Sequence, residues 1–258
     1  MRTYKEHYEH CQANWQTENT NQNNLYNILY KENIFNFDKE RFNIMCKEVS
    51  HLLKKENMVV ENTFSKVIKE PKDIPGIKFF LYEICQQIEE KLFNSYFNIE
   101  YIHCYQNLYT EYKESSSWLW HFDNCPDEFI KIAFHLNETT ENNGCMKILL
   151  DKKGVPLKMQ SDRLKPNDRS KKSSRLPYKH IQSLKSIGYT EKPIVGGMGS
   201  NFVFSPNIVH KATIPAYNSD YRKILMLYVR PYLSKNNDLL ANVKNMQKSI
   251  DVKEYKLD

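Results

Sequence analysis

Hydrophobic residues follow two successive repeats along the chain, a helical one in roughly the first hundred residues and a strand-like one after it. From Phe37 to about Lys55 apolar side chains recur every three or four residues, which predicts an amphipathic helix that Asp38 could cap. A second helix is predicted from Pro75 to Phe93, with proline in the tolerated first turn. The polar, Asn- and Gln-rich first 30 residues lack such a stripe, so we expect them to be loose or only locally ordered.

After residue 94 the pattern changes to the alternation typical of β-strands. Strands are predicted at 101–109, 129–136 and 145–150, in a glycine-led segment at 196–206 and in the long apolar run 221–231. Helices followed by strands predict an α+β fold: a double-stranded β-helix (jelly roll) core with N-terminal helices packed on one sheet. We expect one domain, with a mainly helical part at 1–100, the jelly-roll core at 101–231 and a polar tail at 232–258.

Composition narrows the class of protein. Aromatic residues make up 13% of the chain, which favours a folded, β-containing protein over a disordered one. The six cysteines form no C-x-x-C pair, so they indicate reduced thiols rather than a zinc ribbon or a redox motif. The N-terminus has no apolar signal region, and no apolar run is long enough to span a bilayer. The expected location is cytoplasmic, without a membrane partner.

Positive charge is concentrated in one segment, 151–190. This segment has eleven Lys or Arg and three acidic residues, so its net charge is +8. The whole chain has a net charge of +6, so the residues outside the segment have a net charge of −2. A charge run is usually a solvated surface. The alternative is a lid or rim that faces an anionic substrate.

The first candidate functional residues lie in the sequence WLWHFD at 118–123. Residues i and i+2 of a strand point the same way, so His121 and Asp123 present an imidazole and a carboxylate to one spot. A second imidazole from a distant strand would complete a two-histidine, one-carboxylate face, which leaves open positions on an octahedral iron. His210 ends a later predicted strand, and Arg222 opens the next one twelve residues on. Its guanidinium suits the distal carboxylate of 2-oxoglutarate.

Three stretches resemble the iron(II)/2-oxoglutarate-dependent oxygenase superfamily, and its phytanoyl-CoA dioxygenase-like branch most closely. They are WHFD at 120–123, FHLNETTENNGCMKIL at 134–149 and GGMGSNFVFSPNIVHKATIPAYNSDYRKILMLYVRP at 196–231. The resemblance implies that His121, Asp123 and His210 bind Fe(II) and that Arg222 binds the co-substrate 2-oxoglutarate. Some oxygenases of the superfamily also use an Asn-x-Tyr pair on the preceding strand. Asn107 and Tyr109 fit that pattern.

The implied activity is that of a dioxygenase that uses O2 to hydroxylate an unactivated C–H bond of a small, anionic metabolite. Asp123 stands where related halogenases have a small residue, which favours hydroxylation over halogenation. The chain departs from the branch after the Asn-Gly turn, where KILLDKKGVPLKMQSDR replaces the usual Pro-Gly-Ser-His-like corner, so no substrate is carried over. Two alternatives remain open: an oxygenase that acts on nucleic acid or protein through the basic segment, and a non-catalytic jelly-roll binding protein. Nucleic acid is disfavoured because 151–190 holds only two aromatic residues for base stacking.

Overall fold

The structure is a computed structural model, and it describes residues 2–15, 25–111, 116–165, 173–235 and 238–244. Within these ranges four α-helices occur: α1 Tyr4–Ala13, α2 Lys39–Leu52, α3 Pro75–Ile88 and α4 Tyr178–Ser186. A π-helical turn, Glu89–Phe93, continues α3. Helices α2 and α3 form where the apolar stripes predict them, and the Asp38 carboxylate accepts hydrogen bonds from the first-turn amides of α2.

The first 30 residues, expected to be loose or only locally ordered, contain the regular helix α1, while residues 16–24 lie outside the described residues. Helix α1 starts with a capping box in which the Thr3 hydroxyl and the Glu6 carboxylate satisfy each other's backbone amides. One face of α1 is buried, at Tyr4, His7, Tyr8 and Cys11. These residues share the helical i, i+3, i+4, i+7 spacing, so the stripe exists but is built from aromatic and polar side chains.

Ten strands form two antiparallel sheets in the described part of the chain. The strands are β1 Tyr30–Glu32, β2 Val59–Glu61, β3 Ser65–Ile68, β4 Tyr96–Asn107, β5 Ile130–His135, β6 Met146–Leu150, β7 Thr190–Ile194, β8 Asn201–Phe204, β9 His210–Ala212 and β10 Lys223–Tyr232. The major sheet has the order β1-β8-β5-β10-β4-β3-β2 and the minor sheet the order β7-β6-β9. The fold is therefore mixed helix and antiparallel sheet, consistent with a jelly-roll oxygenase fold. Three short strands, β1 to β3, add to the mainly helical first hundred residues.

The two faces of the major sheet have different surroundings. On one face, Ile132 and Leu225 of the central strands share a buried core with Met45 of α2 and Ile84 of α3. Side chains alternate along a strand, so the intervening residues point to the other face. There a smaller apolar cluster joins the major sheet to β6 of the minor sheet, with Ile148 as a member. The space between the two sheets holds the candidate site.

The basic segment is more regular than its sequence pattern indicates. Helix α4 lies within it, and β7 begins at its end and pairs with β6. Residues 166–172 of this segment, and residues 236–237 and 245–258 of the predicted polar tail, lie outside the described residues. All six cysteines are free thiols. No helix among the described residues is long and apolar enough to cross a membrane.

Candidate metal centre and its cavity

The structure brings His121, Asp123 and His210 together. The Asp123 carboxylate lies with Oδ1 3.9 Å from His121 Nε2 and Oδ2 3.8 Å from His210 Nε2. One ligand atom from each residue can be chosen so that all three lie within 4.8 Å of one another. The set is buried or half-buried. Two imidazoles and one carboxylate on one face are the donor set of non-haem iron(II) sites with open positions.

Backbone pairing holds the two histidines opposite each other. The amide of His121 donates to the carbonyl of His210 at 2.9 Å, and the amide of His210 donates to the carbonyl of His121 at 2.8 Å. Each imidazole Nδ1 lies within hydrogen-bond distance of a backbone carbonyl, Leu119 O at 2.7 Å and Ile208 O at 2.8 Å. Donation from Nδ1–H fixes the tautomer in which the Nε2 lone pair faces Asp123. Both rings are thereby oriented for a metal before any metal binds.

The electrostatics favour the metal-binding protonation states. Burial lowers the pKa of His121 to about 3, and burial likewise lowers the pKa of His210, so both imidazoles are neutral at neutral pH. Burial by itself raises the pKa of Asp123, but Lys131 and the two histidines outweigh it, and the net pKa lies below the usual range. A metal needs neutral imidazoles and an ionised carboxylate. These three residues are already in those states.

Lys131 of β5 is the nearest charge to Asp123, and the sequence analysis did not identify it. Its Nζ lies 2.7 Å from Asp123 Oδ2, with only 7% of the lysine side chain exposed. The ammonium also lies over the ring faces of Tyr228 and Phe204, 4.6 Å and 5.6 Å from their centroids. Burial by itself lowers the pKa of Lys131. The charge of Asp123 raises this pKa by more than burial lowers it, so the side chain is cationic. The sequence feature that could have identified Lys131 is its position inside the otherwise mostly apolar predicted strand FIKIAFHL.

A cavity of about 650 Å³ lies between the sheets and contains the three candidate ligands. Its walls come from the inward faces of β4, β5, β8 and β10, from β6 and β9, and from the β2–β3 hairpin. Two aromatic side chains, Trp118 and Phe64, form part of the wall and pack edge to face with their ring centroids 4.5 Å apart. Small-molecule sites commonly have about this volume, roughly 300–1,000 Å³.

Arg222 lies in the same cavity and is 3% exposed. Its Nη2 donates to the Tyr105 hydroxyl at 3.3 Å and to Asn107 Oδ1 at 3.4 Å, while its Nε is buried without a partner among the described residues. A buried guanidinium with an unsatisfied donor suits a carboxylate ligand. The Asn-Gly turn supports this arrangement. The backbone carbonyl of Gly144 accepts from Asn107 Nδ2 at 3.1 Å, and Gly144 has a φ of +102°.

The structure places Tyr109 apart from the other candidate site residues. Strand β4 ends at Asn107, so the alternation that would turn Tyr109 inward stops before it. Tyr109 is 38% exposed, its ring packs against Tyr217, and it is absent from the described lining of the cavity. Four and six residues before Tyr109, Tyr105 and His103 of β4 do line the cavity. The strand therefore contributes His103, Tyr105 and Asn107.

The described residues of the basic segment do not line this cavity. Two of its lysines form ion pairs elsewhere, Lys158 with Asp127 at 3.1 Å and Lys185 with Glu191 at 2.6 Å. The stretch around Arg175 instead supports the metal ligands: the amide of Phe122 donates to the carbonyl of Ser174 at 3.0 Å. The charged side chains among the described lining residues are Asp123, Lys131 and Arg222.

These residues fit both iron and 2-oxoglutarate. The three candidate ligand atoms lie within 4.8 Å of one another, and an orphaned guanidinium N–H lies in the wall of the same cavity. A dicarboxylic keto acid has one end that chelates a metal and another that needs a cation. The cavity contains a candidate metal site for the first end and the Arg222 guanidinium for the second.

Neither a family model nor a curated protein matches the sequence. Solved structures do resemble it. EctD from S. alaskensis with 2-oxoglutarate and 5-hydroxyectoine aligns with a TM-score of 0.55 and 12% identity over 84% of this chain and 83% of that chain. The epimerase SnoN in complex with Fe3+, alpha ketoglutarate and nogalamycin RO aligns at 0.53 with 13% identity over 87% and 83%. HygX from Streptomyces hygroscopicus with nickel, 2-oxoglutarate and hygromycin B aligns at 0.50 with 8% identity over 81% and 85%.

At these identities the similarity establishes a shared fold. The chain has the fold of iron- and 2-oxoglutarate-dependent enzymes, and its cavity holds a two-histidine, one-carboxylate cluster.

Proposed function

We propose that the protein is an Fe(II)/2-oxoglutarate-dependent dioxygenase that hydroxylates a C–H bond of a small molecule. The observation that supports this most directly is one cavity that contains both the His121–Asp123–His210 cluster and the orphaned guanidinium of Arg222. The neighbouring structures bind small molecules such as 5-hydroxyectoine and hygromycin B together with 2-oxoglutarate. Their fold adds independent support.

The polar groups that would hold the metal and the co-substrate each have a role in this reaction. His121, Asp123 and His210 would hold the iron, and the backbone carbonyls of Leu119 and Ile208 keep the imidazoles turned toward it. Arg222 would bind the distal carboxylate of 2-oxoglutarate through its Nε and the free edge of its guanidinium. Tyr105 and Asn107 hold that guanidinium in place.

Iron with 2-oxoglutarate, when bound, would supply the oxidising chemistry: one oxygen atom of O2 would enter succinate as 2-oxoglutarate loses CO2, and the other would enter the substrate. The protein contributes orientation and the exclusion of water. Trp118 and Phe64 close one side of the cavity with aromatic surface, and Met146 and Met226 line it with apolar surface. An apolar wall protects a strong oxidant from side reactions.

Other expectations are part of this proposal. We propose that 1–258 is a single oxygenase domain whose sheets are the two layers of a double-stranded β-helix, with α2 and α3 against one of them. The phytanoyl-CoA dioxygenase-like branch stays a prediction from the sequence. SnoN is an alpha ketoglutarate-dependent epimerase of the same fold, so the fold does not select hydroxylation, and Asp123 argues only against halogenation. The lining of the cavity gives the nucleic-acid alternative no support, because the described basic segment lies outside it.

An anaerobic titration tests the cofactor assignment. Metal-free protein receives Fe(II) and then 2-oxoglutarate, and the weak visible charge-transfer band of an iron-chelated keto acid is followed. We expect the band in the wild type and in an Asp127→Asn control, and its loss in Asp123→Ala. Asp127 is a suitable control because it is a nearby carboxylate that pairs with Lys158, outside the metal cluster.

Turnover separates an enzyme from a binding protein. We expect Fe(II)-dependent formation of succinate from 2-oxoglutarate in air. A charge-transfer band without any succinate would favour the non-catalytic alternative. Iron binding without a band would contradict the 2-oxoglutarate half of the proposal.

A further inference from the structure

A buried lysine beside a metal-ligating carboxylate is a feature that the proposed chemistry does not require. Lys131 projects from the centre of the sheet face that lines the cavity, between Tyr228 of β10 and Phe204 of β8 in the strand register. The two aromatic rings and the Asp123 carboxylate fix the position of its ammonium. The side chain is thus held at one place in the cavity wall, next to the candidate metal ligands.

The ammonium retains hydrogen-bonding capacity toward the cavity. A lysine ammonium has three N–H donors and no acceptor. Asp123 pairs with the ammonium and Tyr228 faces it, while Phe204 contacts it only through its ring at 5.6 Å, so at least one donor is left for a further ligand. A metal at the His-Asp-His cluster would draw on the same carboxylate, so Asp123 would then serve two cations.

The charge balance of the loaded cavity leaves one positive charge uncompensated. The described lining contains two cations, Lys131 and Arg222, and one anion, Asp123. A divalent metal brings two further positive charges, and 2-oxoglutarate brings two negative ones. Four positive charges then face three negative ones in a largely buried space. An unpaired charge in such a space is unfavourable, so a ligand with one negative charge is favoured there.

We propose that Lys131 binds a carboxylate of the substrate, so that the enzyme oxidises a small carboxylic acid close to its charged group. The inference rests on the proposed function, because 2-oxoglutarate enters the charge balance. It moves the anion-binding role from the basic segment 151–190 to a single residue inside the cavity. Substrate oxidation near the carboxylate follows because Lys131 touches a metal ligand directly.

The test uses the full chain loaded with redox-inert Zn(II) and saturated with 2-oxoglutarate, so that no turnover is needed. Acetate is the carboxylate probe, acetamide its neutral counterpart, and inorganic phosphate the competing anion; binding is measured by calorimetry. In the wild type we expect acetate to bind more tightly than acetamide and than phosphate. Lys131→Met should weaken acetate binding about ten- to a hundredfold, the range for one charge-assisted hydrogen bond. Lys131→Arg should retain it.

Lys192→Met is the matched control. Lys192 also pairs with a carboxylate, Glu32 at 2.8 Å, and also lies over an aromatic ring, Tyr30 at 4.9 Å, but it is not part of the described cavity lining. Its loss should leave acetate binding unchanged. Equal acetate affinity in folded Lys131→Met and wild type would overturn the proposal.

Two binding comparisons in the wild type still test the proposal if Lys131→Met fails to fold. In the wild type alone, acetate that binds no better than acetamide overturns the proposal, and phosphate that binds more tightly than acetate contradicts the carboxylate assignment. Failure of 2-oxoglutarate to bind is a separate result that contradicts the proposed function. In that case, the difference in acetate affinity between the wild type and Lys131→Met, both loaded with Zn(II) alone, reports whether Lys131 binds a carboxylate, because the metal and Arg222 are common to both proteins.

Discussion

Replacement of Arg222 by methionine tests the cofactor-binding role that both the sequence and the structure point to. Methionine keeps most of the volume of the side-chain stem and removes the guanidinium. In the protein, the Arg222 Nε has no described partner, and Nη2 makes only two long contacts, of 3.3 and 3.4 Å. Most of the hydrogen-bonding capacity of the group is therefore available to 2-oxoglutarate.

The expected effect follows from the bonds lost. A carboxylate bound to the fork of a guanidinium forms two charge-assisted hydrogen bonds, each with a net contribution of roughly 1.5 kcal/mol. Their loss should weaken 2-oxoglutarate binding by about 3 kcal/mol, or roughly 150-fold in Kd. Iron affinity should change little, because Arg222 does not contact the candidate ligands in any described hydrogen bond or ion pair.

The assay is an anaerobic 2-oxoglutarate titration of the Fe(II)-loaded protein, with metal affinity measured separately by calorimetry. Lys223→Met is the control, since Lys223 is the next residue along the strand, points to the opposite face and pairs with Asp220 at 3.1 Å. It should bind 2-oxoglutarate like the wild type. An unchanged Kd in Arg222→Met would refute the assignment and direct attention to another cation. Equal weakening in both variants would indicate a general loss of structure.

Three further predictions concern stability. Asp123→Ala leaves Lys131 buried without its carboxylate, so urea unfolding of the metal-free protein should show a loss of roughly 3–5 kcal/mol that an added Lys131→Met largely restores; equal losses in both variants would contradict the pairing. His135 is 1% exposed, has no described partner for either ring nitrogen, and burial lowers its pKa to about 3. The unfolded chain therefore binds more protons as pH falls below about 6.5, and His135→Leu should remove roughly 2 kcal/mol of the stability lost between about pH 7 and 5; an unchanged pH dependence would contradict this. Gly144→Ala places a methyl 2.7 Å from the Asn107 amide at a φ of +102°, so it should destabilise the fold by roughly 1–3 kcal/mol and weaken 2-oxoglutarate binding. Gly154→Ala is the control, because Gly154 has a φ of +77° and no atom lies within 4 Å of the new methyl. Its loss of unfolding free energy should come from backbone strain alone.

The long elements were predictable from sequence because each produces its own periodic pattern. Helices α2 and α3 bury one apolar stripe against a sheet, and the inner strands β5 and β10 are mostly apolar and almost wholly buried. Short strands carry too few residues to establish a period. For that reason β1 to β3, of three or four residues each, were not foreseen, although β2 and β3 form one wall of the cavity.

Local spacing also determined part of the site. His121 and Asp123 converge because they are two residues apart in an extended segment, which is a property of the chain and not of the fold. The resemblance to a known superfamily then supplied His210 and Arg222, whose distance in sequence gives no geometric information. Asn107 and Tyr109 came from the same resemblance, through its Asn-x-Tyr pattern; Asn107 lines the cavity, whereas Tyr109 is absent from the described lining because the strand ends at Asn107.

Lys131 shows what only the tertiary structure decided. In sequence it is a lysine in an apolar strand, eight positions after Asp123, and nothing in that spacing brings the two side chains together. Their 2.7 Å contact arises because β5 lies between β8 and β10 in the sheet, while the segment with Asp123 is held by the backbone carbonyl of Pro206. The sequence determined which groups were available for metal chemistry, because side-chain type and local spacing are written in the chain. Which charges share one buried cavity depended on strand order and register, because these are contacts between residues that no local pattern connects.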